Sequence, residues 1–276
     1  MKTMKKIFEK AFRKMRTLTL SARILTSISD NKAYPNVCLQ ASNDHEHFKD
    51  FRRNKVYNEI LEHVSQEQGK EYLDLIKEDA EIFSKIDTFK ENDKYGNPRV
   101  FDYPSVGKIS STTLRYIKVL ADLKALFGTM DNLNIVEIGA GYGGQCRIIN
   151  SYFKPNSYCL IDIKPALMLA KRFLDHYIIH SRLIYKTMDE LQEKEYDLLI
   201  SNYAFTELPR PIQDIYLKKC ILCSRMGYIT YNELTPPEFK SYKKEELISI
   251  IPNSKIMEEV PLTHPNNCII VWGVNH

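Results

Sequence analysis

The chain has 276 residues, 43% of them hydrophobic and 27% charged, with ten glycines and twelve prolines. Those values place it among globular proteins and exclude a wholly disordered or collagen-like chain. No apolar run approaches the roughly 18 residues that a membrane span needs. The net charge of +4 is uneven: residues 1–28 carry eight Lys or Arg and one acid, Glu9, for +7, so the remainder sums to −3. A basic tail on an acidic body argues against nucleic acid as the partner, because that would need a basic face on the domain itself.

Within residues 1–28, Ile7, Phe8, Ala11, Phe12, Met15 and Leu18 fall on one face of a helix, with Lys and Arg on the others. The stretch is broken by Arg23 and lacks a cleavage site, so it does not read as a signal peptide. It reads as a basic amphipathic helix that docks on the chain's own domain or on a partner, or that lies on an anionic membrane surface. The expected location is cytoplasmic, with the tail as the segment that would touch the inner face of the membrane. Residues 29–55 are polar and turn-rich and read as a linker or irregular segment, with His45 and His47 solvated in it. Residues 56–131 read as a helical cap: helices over 56–68 and 70–86, a long loop over 87–110 holding Tyr95, Phe101 and Tyr103, and a helix over 112–127 ended by Gly128. Loops this long are often functional, and its aromatic residues, Tyr103 among them, are candidates to stack on a substrate.

From 132 to 276 the pattern alternates. Strands are expected at 133–138, 158–163, 182–188, 197–202, 226–231, 256–260 and 268–272, with helices at 143–153, 165–177, 211–223 and 237–250. This predicts an α/β, doubly wound, Rossmann-like sheet of seven strands. The last two strands are joined by a short loop, so the final strand is expected to be antiparallel. The six cysteines are irregularly spaced, and Cys220-x-x-Cys223 stands in a helical pattern without a second pair, so free thiols are expected rather than a zinc site. Free thiols fit a reducing compartment.

The strongest motif is Glu137-Ile-Gly139-Ala-Gly141-Tyr-Gly143-Gly144, between a strand and a helix. Glycines there permit a tight turn and a close approach of backbone to a ligand. Gly139, Gly141 and Gly144 also satisfy the dinucleotide pattern, which is weak evidence alone. Asp162 closes the next strand 23 residues after Gly139, where a carboxylate accepts from ribose hydroxyls. The alternative for Asp162 is a cap on the following helix.

With these residues the chain resembles class I S-adenosylmethionine-dependent methyltransferases over residues 132–273, because Glu137-x-Gly139-x-Gly141-x-Gly143 is closer to their first motif than to the dehydrogenase one. A narrower resemblance rests on Thr112-Thr-Leu-Arg-Tyr116, on Ser201-Asn-Tyr-Ala-Phe-Thr-Glu-Leu208 and on His264-Pro-Asn-Asn-Cys-Ile-Ile-Val-Trp-Gly273. These are similar to the sugar O-methyltransferase family of bacterial polysaccharide gene clusters. The resemblance implies S-adenosylmethionine as cofactor and a sugar or glycan hydroxyl as acceptor. Other readings remain: a methyltransferase of another small-molecule or lipid acceptor, a nicotinamide-dependent dehydrogenase, and a non-enzymatic nucleotide-binding protein.

Ligands of a doubly wound sheet bind beyond the carboxyl ends of its strands. On that rule the cofactor candidates are Glu137, Gly139, Gly141, Gly143, Asp162, Met188 and Asp189 for the adenine, and Asn202. Tyr103, Tyr203, Asn232 and Glu233 are candidates for the substrate. Methyl transfer needs alignment and removal of the hydroxyl proton, for which His264 and Glu207 are the candidate bases. No metal is required by this scheme.

Overall fold

The computed structural model describes residues 32–274. The amphipathic pattern over 1–28 lies outside these residues. Nine strands are described, two in a hairpin and seven in one sheet. The sheet strands are β3 (Asn134–Ile138), β4 (Ser157–Ile161), β5 (Arg182–Lys186), β6 (Tyr196–Asn202), β7 (Ser224–Tyr231), β8 (Lys255–Glu258) and β9 (Cys268–Trp272). Their order is β5-β4-β3-β6-β7-β9-β8. Neighbours from β5 to β7 pair in parallel, and β9 runs antiparallel to both β7 and β8. The expected Rossmann-like sheet with a final antiparallel strand is therefore present.

The chain winds from β3 outward through β4 and β5, then returns to β6 on the other side. The β3–β6 junction is thus the topological switch point, where the crevice of such a sheet opens. Central strands are buried on both faces and read as continuous apolar runs. Ile135, Leu160, Leu198, Ile200 and Tyr228 belong to the core on one face, and Val136, Ile161, Leu199 and Ile229 to the core on the other.

The amino-terminal half departs most from expectation. Residues 33–50, expected to be irregular, form helices α1 (Ala33–Asn43) and α2 (His45–Asp50). Tyr34, Cys38 and Ala41 recur at helical spacing and are buried. Asp44, which reads as a turn residue, caps α2 by accepting from His47 N–H at 2.9 Å. His47 Nδ1 also lies 2.7 Å from the same carboxylate, so the exposed histidine pair belongs to a helix start. Next come α3 (Lys55–Ile60), α4 (Gln66–Ile76), α5 (Ala80–Phe83) and α6 (Ile86–Lys90), where two longer helices were expected. The reason is capping: Ser65 and Gln68 form a reciprocal capping box, and the Asp79 carboxylate accepts from the Glu81 and Ile82 N–H groups, so each starts a new helix.

The expected 87–110 loop holds α6 and a hairpin of β1 (Val100–Tyr103) and β2 (Gly107–Ser110). Then α7 (Ser111–Phe127) starts at the Ser110 cap and ends at Gly128, as read. The remaining helices are α8 (Gly144–Asn150), α9 (Lys164–Leu174), α10 (Arg210–Tyr216) and α11 (Lys244–Ile250). The last is shorter than expected, because Pro237–Phe239 forms only a single turn that stops at Lys240 with φ +50°.

The α1 helix packs along α9, and Tyr34 and Cys38 stand close enough to Asp162 to feel its charge. Residues 33–50 therefore cover the edge where the cofactor carboxylate was expected. Deleting residues 1–28 is expected to leave the thermal midpoint and cofactor binding unchanged. Deleting residues 1–50 removes buried Tyr34, Cys38, Ala41 and Phe48. At roughly 1.5–3 kcal/mol per large buried side chain, that costs on the order of the whole stability of a domain. Thermal melts of both truncations check this, and equal midpoints would contradict it.

Candidate active site

The glycine turn follows β3 at the switch point. Gly139 has φ +78°, and a Cβ there would stand 2.0 Å from the Ala204 Cβ, across the crevice after β6. Gly141 has φ +54°, and a Cβ would meet the Leu61 side chain at 3.0 Å. Both positions need a left-handed backbone that side chains disfavour, and both are closely covered. Gly143 begins α8 with φ +84°.

Asp162 stands at the end of β4. Its Oδ2 accepts from Gly141 N–H at 2.8 Å and its Oδ1 from Ile163 N–H at 2.7 Å. The carboxylate thus holds the glycine turn in shape.

Tyr142, inside the turn, is fully buried. Asn92 donates to its hydroxyl at 3.2 Å, and the Arg52 guanidinium lies 4.9 Å from its ring centre. Arg52 is in turn fixed by Glu62 at 2.5 Å, by Asp93 and Ser110 at 3.2 Å and by the Asn92 carbonyl. The helical layer therefore anchors the turn. Sequence reading missed this cluster, whose members are scattered from Arg52 to Tyr142.

Glu137 does not face the crevice. It is buried and accepts from Tyr158 O–H at 2.9 Å. Burial pushes its carboxyl up to about 8, against the Tyr158 hydrogen bond, and the nearby Asp162 charge adds to the rise. A folded-state value above the usual 4.5 means that the folded chain holds this proton more tightly. The associated stability is full below about 4.5 and is lost as pH rises toward 8. Glu137→Gln keeps an acceptor for Tyr158 and stays neutral. Its midpoint is expected to fall less than that of the wild type between about pH 5 and 8. Parallel melting curves across that range would contradict the assignment.

Met188 and Asp189 follow β5. Met188 is half-buried against the core, whereas Asp189 is exposed and makes no hydrogen bond or ion pair with the described residues. Thr187 and Glu190, not Asp189, form the capping box there.

Tyr203 follows Asn202 at the end of β6 with φ +67°, an uncommon conformation for a tyrosine. Such backbone strain costs about 1–3 kcal/mol and clusters at functional sites. It is held by a hydrogen bond from Tyr203 N–H to the Thr230 carbonyl at 3.0 Å. The Tyr203 hydroxyl donates to Glu259, and Thr263 lies 3.2 Å from it. Asn202 and Tyr203 line a cavity of about 20 Å³ together with Arg115, Tyr72 and Thr230. Thr263 itself accepts from Asn267 at 2.8 Å. The segments 112–116, 201–208 and 264–273, distant in sequence, thus meet beyond the ends of β6 and β7.

Glu207 is half-buried, and its Oε1 accepts from Asn232 Nδ2 at 2.7 Å. Burial pushes its carboxyl up, while the Asn232 bond and the Arg115 charge pull it back. His264 is half-buried, with its Nδ1 turned inward and lacking a hydrogen-bond partner among the described residues. Its carbonyl accepts from Asn267 N–H at 2.9 Å, closing the turn around Pro265.

Two substrate candidates have other occupations. Tyr103 is 2% exposed, and its hydroxyl lies 2.8 Å from the Ser111 hydroxyl and 3.2 Å from the Gln66 carbonyl. Its neighbour Tyr95 stacks on His176 at 4.1 Å. The aromatic residues of this segment anchor the hairpin and its approach. Glu233 is paired with Lys243 at 2.8 Å and accepts from Asn266. Asn232 donates to Glu207. Among the described residues no cluster of three or more His, Cys, Asp or Glu can hold a metal ion, and no helix is long and apolar enough to cross a membrane. All six cysteines are free thiols.

No family model matches the chain, and no curated protein matches it. Solved structures share low similarity. A magnesium protoporphyrin IX methyltransferase from Synechocystis, with bound S-adenosylmethionine, is 14% identical, covering 57% of this chain and 78% of that one at a TM-score of 0.44. The mitomycin 7-O-methyltransferase is 10% identical over 58% of this chain and 56% of that one, with a TM-score of 0.41. A protein of Thermoplasma acidophilum is 16% identical over 59% of this chain and 89% of that one, with a TM-score of 0.40.

Proposed function

We propose that this protein is an S-adenosylmethionine-dependent O-methyltransferase acting on a sugar or glycan hydroxyl. The observation that carries the reading is the pairing of a left-handed glycine turn with Asp162 at the switch point, the carboxylate fastened to the turn through Gly141. The residues fit the cofactor: Gly139, Gly141 and Gly143 beside its methionine part, Asp162 on the ribose, Met188 and Asp189 at the adenine, and Asn202 across the crevice. Asp189 has no bond elsewhere among the described residues, and the half-buried Met188 offers an apolar surface for the ring. When bound, the cofactor supplies a methyl group already activated on a sulfonium. The chain's own task is alignment and removal of the acceptor proton. Glu207 or His264 takes that proton, and Asn232 orients Glu207.

The sugar reading is favoured by the meeting of the three segments that resemble the sugar O-methyltransferase family, through Arg115, Tyr203 and the Thr263–Asn267 contact. Glycans from cells with and without the intact gene would be compared by mass. A methyl increment present only with the gene is expected. Identical glycans, with methylation restored on another acceptor class, would overturn the sugar assignment and keep the methyltransferase.

A further inference from the structure

Among the described residues three arginines are buried: Arg52, Arg115 and Arg147. Two of them are fully engaged. Arg52 has Glu62 and Asp93, and Arg147 donates to the Thr88 and Phe89 carbonyls at 2.7 and 3.0 Å. Arg115 differs. It is 9% exposed, and among the described residues its Nε has no hydrogen-bond partner, its one hydrogen bond runs to the Leu61 carbonyl at 3.4 Å, and its guanidinium lies 5.6 Å from the Tyr116 ring centre. No carboxylate among the described residues forms an ion pair with it.

Leaving a buried guanidinium unpaired is costly unless a ligand completes it. The other charged groups around the same cavity, Lys118 and Glu259, already hold hydrogen-bond partners, although Glu259 has no cation paired with it among the described residues. Lys118 pairs with Asp122 at 2.6 Å, and Glu259 accepts from Tyr203 and from the Thr263 N–H and hydroxyl. The cavity of about 20 Å³ admits a terminal group rather than a whole sugar. It is lined by Arg115, Asn202, Tyr203 and Thr230, not by the glycine turn or Asp162. It therefore lies away from the glycine turn and Asp162, next to Asn202, and we place it on the acceptor's side of the crevice.

We infer that Arg115 receives an oxyanion, a carboxylate or phosphate, carried by the acceptor, so that the substrate is an acidic or phosphorylated sugar rather than a neutral one. Arg suits this role because its planar fork matches two oxygens at once. The inference rests on the methyl-transfer reading for the identity of the ligand, but not for the existence of the anion seat.

The test uses the full chain and two probes, inorganic phosphate and acetate, each against chloride at equal ionic strength. Thermal midpoints would be measured with and without saturating S-adenosylhomocysteine, for the wild type, Arg115→Met and Arg115→Lys. At least one oxyanion is expected to raise the wild-type midpoint by several degrees, and the rise should persist with S-adenosylhomocysteine present. Arg115→Met should lose the rise and Arg115→Lys should keep part of it, with affinity for S-adenosylhomocysteine within about twofold of wild type in both. An absent rise in the wild type overturns the inference, as does an unchanged one in either folded substitution that lacks the guanidinium fork. A rise abolished by S-adenosylhomocysteine overturns it differently, by giving the seat to the cofactor's own carboxylate. Should Arg115→Met fail to fold, the wild-type arms and Arg115→Lys still decide. If S-adenosylhomocysteine does not bind at all, the methyl-transfer reading fails, while the oxyanion arm remains readable.

Discussion

Replacing Glu207 by Gln or His264 by Ala is expected to lower turnover by about 10²–10⁴-fold for whichever residue is the base, with cofactor affinity nearly unchanged. Asn232 fixes one of the Glu207 oxygens at 2.7 Å, and burial raises the proton affinity of Glu207, which makes it a better base than an exposed carboxylate. The Asn232 hydrogen bond and, after it, the Arg115 charge restrain that rise. His264 brings an inward ring nitrogen without a partner among the described residues. The pH profile separates the two. A Glu207 base must be deprotonated to act, so turnover should be lost as pH falls through a value above the usual 4.5. Glu207→Gln would abolish that limb. Turnover and affinity would be measured on the same preparations, and wild-type turnover in both variants would leave alignment as the whole mechanism.

Asp162→Ala is expected to weaken S-adenosylhomocysteine binding at least tenfold by calorimetry. Two charge-assisted hydrogen bonds to a ribose are worth roughly 1.5–3 kcal/mol each. The structure adds a second cost, because the same carboxylate holds Gly141 N–H and Ile163 N–H, just before α9. The alanine variant should therefore also melt lower. Asp162→Asn retains one acceptor oxygen for Gly141 and removes the charge, so it should recover part of the midpoint while affinity stays reduced. Unchanged affinity in both variants contradicts the ribose assignment.

The sheet and the glycine turn were legible because their signals are local. Runs such as Cys159–Ile161 and Leu198–Ile200 are apolar on both faces, as expected of buried parallel strands. The turn announces itself through glycines between a strand and a helix. The α1 helix was hidden by Pro35, Asn36 and Asn43, which read as a turn. Proline is tolerated in a first helical turn, and the decisive spacing of Tyr34, Cys38 and Ala41 involves only three residues. Tyr103 shows a different limit. An aromatic residue in a polar segment reads the same whether its hydroxyl meets a sugar or, as here, Ser111 and Gln66. Glu137 sits inside a cofactor motif, yet strand alternation turns it toward Tyr158. Arg115 stood in one of the resembling segments, but only its burial without an ion pair distinguishes it from a surface arginine.

The central claim is that the crevice between the glycine turn, Asp162 and the end of β6 binds S-adenosylmethionine. Thermal shift of the full chain with S-adenosylmethionine, S-adenosylhomocysteine and NAD, each titrated to saturation, tests it most directly. Both sulfur nucleosides are expected to raise the midpoint in a concentration-dependent way, and NAD to leave it unchanged. A rise with NAD and none with either sulfur nucleoside would contradict the account.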